Sequence, residues 1–117
     1  MIYTSYFANL KKIPKDIIPI AICGKSPEWY KGLEYKVLAP KYWFFKIWKE
    51  THDNDFYIEN FNKEILDLVD PDKVVLRLKQ LSNSDNIALI CYEKPEDFCH
   101  RHLVAGWLND NGYEVEG

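Results

Sequence analysis

The residues best equipped for chemistry in this 117-residue chain crowd into one dozen positions. The stretch Cys91-Tyr92-Glu93-Lys94-Pro95-Glu96-Asp97-Phe98-Cys99-His100-Arg101-His102 holds two of the three cysteines, two of the three histidines and one of the two arginines. A thiol at the amino end of a helix meets unpaired N–H groups and a partial positive charge, both of which favour the thiolate. Cys99 is therefore the leading candidate nucleophile and Cys91 the second. His100 can transfer a proton, and Arg101 offers a two-pronged donor suited to phosphate or carboxylate. Glu93 can orient His100, pair with Arg101 or serve as a general base.

Each of these residues also has a plainer reading. Cys91 inside an apolar run can be a small buried hydrophobe, as can Cys99. His100 can be a core histidine bonded to backbone, and Arg101 with Glu93 can be a structural ion pair. Cys23, Cys91, Cys99 and His100 are all metal-ligand types, but no closely spaced ligand pair is present, so neither a metal site nor a cofactor is predicted. The ten positions separating Cys91 from Arg101 exceed the compact cysteine–arginine loop of protein tyrosine phosphatases, which disfavours that chemistry.

These residues need elements to hold them. Asn86 to Tyr92 is apolar on both alternating faces, the pattern of a central parallel strand covered on each side. A helix is predicted from about Phe98 to Asp110, closed by Asn111-Gly112. On that helix Leu103, Val104, Trp107 and Leu108 make an inward stripe at about 100° per residue, with His100 near its centre. Cys99 and Arg101 border the stripe, and His102 points to solvent. In parallel sheets ligands bind beyond the carboxyl ends of the strands, where this segment falls.

Upstream, Ile2 to Phe7 and Ile17 to Cys23 read as strands, and Ser26-Pro27-Glu28 as the start of a short helix. Pro40 opens a helix with Trp43, Phe44, Ile47 and Trp48 inward. Asp53-Asn54-Asp55 caps another, with the stripe Ile58, Phe61, Ile65 and Leu68; its D-x-D spacing lacks the glycine and distal glutamate of a calcium loop. Asp70-Pro71 starts a third, with Val74, Val75, Leu78 and Leu81 inward and Ser82-Asn83 as its stop. A turn at Glu93-Lys94-Pro95 and a last strand, Tyr113 to Glu116, complete the order. The expected fold is a single three-layer α/β domain over residues 1–117, with a small, mostly parallel sheet flanked by helices.

Composition sets outer bounds. Hydrophobic residues at 47% and charged residues at 28% fit an ordinary globular chain. A net charge of −3 disfavours broad nucleic-acid coating. The apolar runs are too short to cross a bilayer and the N-terminus lacks the pattern of a signal peptide, so the expected location is the cytoplasm, with no membrane partner and reduced thiols. No oligomeric state follows.

Ile90-Cys91-Tyr92-Glu93-Lys94, followed by Cys99-His100-Arg101 and Leu103-Val104-Ala105, resembles the signature of the domain of unknown function 488 family. Leu38-Ala39-Pro40, the Phe56 to Leu68 helix and the opening Tyr3-Thr4-Ser5 extend the resemblance over most of the chain. It implies an α/β fold and a site built from Cys91, Glu93, Cys99, His100 and Arg101, with Tyr3, Thr4 and Ser5 alongside. Where many members carry an acid and an arginine at the end of the second strand, this chain has Ala21-Ile22-Cys23-Gly24-Lys25, so it either lacks that pair or replaces it with Cys23 and Lys25.

Three functions compete at this point. The site can belong to a small enzyme acting on a phosphorylated or otherwise anionic compound such as a nucleotide, with Arg101 and Lys25 among the ligand-binding residues. It can be a non-catalytic pocket for a nucleotide, a nucleic-acid end or a protein carboxylate. Glu93, His100 and Arg101 can also form a purely architectural network.

Overall fold

A computed structural model describes residues 1–94 and 96–116. The predicted turn at Glu93-Lys94-Pro95 includes Pro95, which lies outside the described residues. Five strands form one all-parallel sheet: β1 (Ile2–Tyr6), β2 (Ile18–Ala21), β3 (Leu33–Glu34), β4 (Ile87–Cys91) and β5 (Val115–Glu116), in the order β3-β2-β4-β1-β5. Every residue of β4 is buried, as its two-faced apolar run requires of the middle strand.

Four helices follow the expected order: α1 (Tyr42–Thr51), α2 (Asn54–Glu64), α3 (Pro71–Ser82) and α4 (His100–Asp110). Their starts and stops are local chemistry. Asp53 accepts a hydrogen bond from Phe56 N at 3.1 Å and so caps α2. Asp70 does the same for Asp72 N at 3.0 Å, with Pro71 in the first turn of α3. Asn83 ends α3 in the left-handed region, at φ 52°.

Buried residues of all four helices share one core with Ile20, Ile87 and Leu89 of the sheet. The opposite face, carrying Ala21, Ala88 and Ile90, is covered by the 3-10 turn Phe7–Lys12 with Ile13, Ile17 and Tyr30. Right-handed crossovers explain this division: the chain moves one way along the sheet from β1 to β3 and the other way from β3 to β5. Connections leaving β4 therefore depart on the face opposite those leaving its neighbours β1 and β2. That divergence opens a crevice at the carboxyl end of β4.

Three expectations need correction. Helix α2 ends at Glu64, so Leu68, expected on its inward stripe, falls in the 3-10 turn Leu66–Leu68 and is 69% exposed. No helix forms at Ser26-Pro27-Glu28. Instead Tyr30 N closes a turn on Pro27 O, and the Ser26 hydroxyl donates to Glu34 Oε2 at 2.7 Å, leaving no free cap. The face of α1 is also rotated from the predicted stripe: Phe44 is buried, but Trp43 and Ile47 are 45% and 38% exposed. Trp48 of that stripe does face inward, on the crevice, and Phe45, outside the stripe, joins it there.

Candidate functional site

Helix α4 begins one residue after Cys99, and β4 ends on Cys91. Strand end and helix start converge on the crevice, a cavity of about 500 Å³ whose wall carries Cys91, Glu93, Cys99 and His100. Lys25 and Cys23 lie on the same wall, and Phe45, Trp48, Tyr57 and Phe98 supply an aromatic lining. Tyr57 and Phe98 meet edge to face at 5.2 Å, and Trp48 packs on Phe98 at 5.4 Å.

His100 points inward as its helical position predicts. Its Nε2 donates to the Ile22 carbonyl at 2.7 Å, so a backbone group, rather than Glu93, orients the ring. With Nε2 committed to that carbonyl, Nδ1 is the ring nitrogen that faces the thiols. It stands 3.8 Å from Cys91 Sγ and 3.7 Å from Cys99 Sγ. All three of these atoms lie within 4.8 Å of one another, a donor set able to hold a metal ion.

Cys99 is the residue before the first turn of α4, and its Sγ accepts from Arg101 N at 3.5 Å. A hydrogen bond from the Cys91 thiol, then the His100 imidazole and the Arg101 N–H, hold the Cys99 thiol well below the ordinary thiol range. The reciprocal hydrogen bond to Cys99 and then burial hold Cys91 well above it, so within the pair Cys91 keeps its proton. Burial, followed by the charge and hydrogen bonding of Cys99, pushes the Glu93 carboxyl above its usual range. One oxygen of that carboxyl, Oε2, is buried and has no hydrogen-bond partner. Cys23 turns its thiol toward Ser26 Oγ, 3.7 Å away, and burial raises it. None of the three cysteines is in a disulfide.

Arg101 is 1% exposed, deeper than its border position on the stripe predicts. Its Nη1 donates to the Ser5 carbonyl at 2.6 Å and the Glu93 carbonyl at 2.9 Å, while Nε has no partner. Among the described residues no ion pair joins Arg101 to the Glu93 carboxylate; the pairs are Lys41–Glu64 and Lys79–Asp85. Neither Arg101 nor Tyr3, Thr4 or Ser5 lines the cavity. Ser5 is buried, contributing a carbonyl to Arg101 and its hydroxyl oxygen to Asn9 Nδ2. His102 is exposed, as predicted.

Sequence reasoning missed the aromatic wall. Trp48 belongs to the stripe read from the sequence, whereas Tyr42 and Phe45 lie outside it; their three-residue spacing from Trp48 on α1 was the available signal. The Ile22 carbonyl, being backbone, had none.

Comparison with known proteins bears on the whole chain. A family model described as DUF488-N3a, active DUF488-N3 subclade, matches residues 5–112. No curated protein and no solved structure matches.

Proposed function

Since the chain belongs to the DUF488 family, we propose that it is a small cysteine-dependent enzyme acting on an anionic compound with a flat ring, such as a nucleotide. The observation that carries this reading is the placement of Cys99 Sγ. It lies on the cavity wall at the start of α4, hydrogen-bonded by Arg101 N and 3.7 Å from His100 Nδ1. The family description itself names an active subclade.

The roles follow from the geometry. Cys99 attacks an electrophilic centre of the substrate, and Glu93, whose carboxyl is pushed above its usual range by burial, gives a proton to the leaving group. His100 Nδ1 accepts a proton from the water that releases the product. Phe45, Trp48 and Phe98 stack on the ring, and Lys25 with the amino end of α4 receives the anionic end. Arg101 is a positioning residue, since its two short bonds are to backbone carbonyls and its Nη2 meets only His102 Nε2, at 3.5 Å. That commitment of Arg101 to the backbone also favours a second reading, in which the cavity binds its ligand without turnover.

The test is iodoacetamide labelling of the reduced, chelator-treated chain near neutral pH, mapped by mass spectrometry. Cys99 should react faster than a free thiol, and nucleotides that raise the melting temperature should slow it. If neither Cys99 nor Cys91 outpaces a free thiol, the nucleophile is lost. Ligand protection without any substrate turnover selects the binding module.

A further inference from the structure

We propose that Cys91, Cys99 and His100 form a binding site for a thiophilic divalent cation, with Zn²⁺ the best match and Glu93 the fourth ligand. The inference stands on donor positions alone and does not rest on the nucleophilic reading. A tetrahedral zinc ion, with Zn–S of about 2.3 Å and Zn–N of about 2.0–2.1 Å, needs sulfur and nitrogen about 3.5 Å apart and two sulfurs about 3.8 Å apart. His100 Nδ1 is 3.8 Å from Cys91 Sγ and 3.7 Å from Cys99 Sγ, and all three donors fall within 4.8 Å of one another. Small side-chain rotations close the remaining difference.

The surroundings suit a metal ligand set. The Nε2–H bond to the Ile22 carbonyl fixes the tautomer that leaves Nδ1 free, the outer-shell contact by which metal-binding histidines are oriented. Two ligands belong to the start of α4 and one to the end of β4, so regular structure positions them. Glu93 lines the same cavity as both cysteines, and its Oε2 is buried without a hydrogen-bond partner. A cation would satisfy that oxygen. Two thiolates, an imidazole and one carboxylate select a borderline-soft ion over calcium or magnesium. Cys23 faces Ser26 and stays outside the set.

Bound metal would commit the Cys99 sulfur, so the metal-free chain is the form with a free thiolate and the loaded chain is protected. The test titrates the full reduced chain with Co²⁺. A thiolate-to-cobalt absorption in the near ultraviolet and intense visible bands of a tetrahedral site should saturate at one ion per chain, and Zn²⁺ should displace them. Cys91→Ser and Cys99→Ser should each weaken the affinity by more than about tenfold, while Cys23→Ser leaves it unchanged. On the unaltered chain, Zn²⁺ should slow alkylation of Cys91 and Cys99 and leave the Cys23 rate as it was. A folded chain without the thiolate–cobalt absorption overturns the site, as does absence of zinc protection at Cys91 and Cys99. Loss of the nucleophilic reading looks different: slow alkylation of metal-free Cys99 beside an intact cobalt spectrum.

Discussion

Replacing Arg101 with alanine tests what the buried guanidinium does. Arg101 is 1% exposed, and its Nη1 binds the Ser5 and Glu93 carbonyls at 2.6 and 2.9 Å. A hydrogen bond to a charged group contributes about 1.5–3 kcal/mol, so losing two costs about 3–6 kcal/mol. Removing the cation also removes its desolvation penalty, which offsets part of that and leaves about 3–4 kcal/mol. A domain of this size loses about 4 °C of melting temperature per kcal/mol, so a fall of about 12–16 °C is expected. Urea denaturation followed by tryptophan fluorescence reads the free energy, and circular dichroism reads the melting temperature. Arg101→Lys should lose about half as much, because an ammonium keeps the charge and one of the two bonds. An Arg101→Ala chain within about 0.5 kcal/mol of the parent refutes the reasoning, since a surface-like response is incompatible with two buried carbonyls losing their donor.

Two further outcomes are expected. Burial raises the Tyr30 hydroxyl from 10.0 to about 12, and that hydroxyl donates to Leu33 O at 2.6 Å. The unfolded chain therefore ionises Tyr30 first, so stability is intact below about pH 10 and falls as pH climbs toward about 12. The loss is about 1 kcal/mol after allowance for partial exposure, and Tyr30→Phe should flatten the alkaline slope of urea midpoints; an equal slope in both chains counts against it. Asp53→Ala removes the cap on Phe56 N and should cost about 1 kcal/mol by chemical denaturation, with Asp53→Asn close to the parent. Equal losses in the two Asp53 variants would place the effect elsewhere.

Features encoded within a few residues were legible from sequence. The caps at Asp53 and Asp70-Pro71 and the stop at Asn83 act on backbone groups at most three positions away in the case of the two aspartates. The β4 run announced its own burial, and the 3.6-residue period of α4 placed His100 inward and His102 outward. What was not legible depends on distant partners. Ser26 is a sound cap by type, but its hydroxyl goes to Glu34 once β3 lies beside β2. The exposed face of α1 depends on where the carboxyl edge of the sheet leaves a crevice, which no helical period encodes. At the site, Cys91, Glu93, Cys99, His100 and Lys25 line one cavity, while Arg101 faces a carbonyl 96 positions earlier in the chain.

The scarcity of arginine acquires a physical reason from that last contact. The chain carries fifteen basic residues, of which only Arg77 and Arg101 are arginines. Arg101 ties the carbonyl of Ser5, near the end of β1, to the carbonyl of Glu93, just past the end of β4. Cys91 stands two residues before one anchor, and Cys99 two residues before Arg101 itself. Both bonds leave Nη1, whose direction the rigid guanidinium plane fixes, whereas an ammonium on a flexible stem keeps only one of them. The arginine therefore holds strand end and helix start at the separation that brings the two sulfurs and the imidazole together. A folded Arg101→Lys chain should for that reason bind Co²⁺ more weakly than the parent although no metal ligand has changed. Unaltered cobalt affinity in that chain would show that β4 and α4 set the thiol spacing without it.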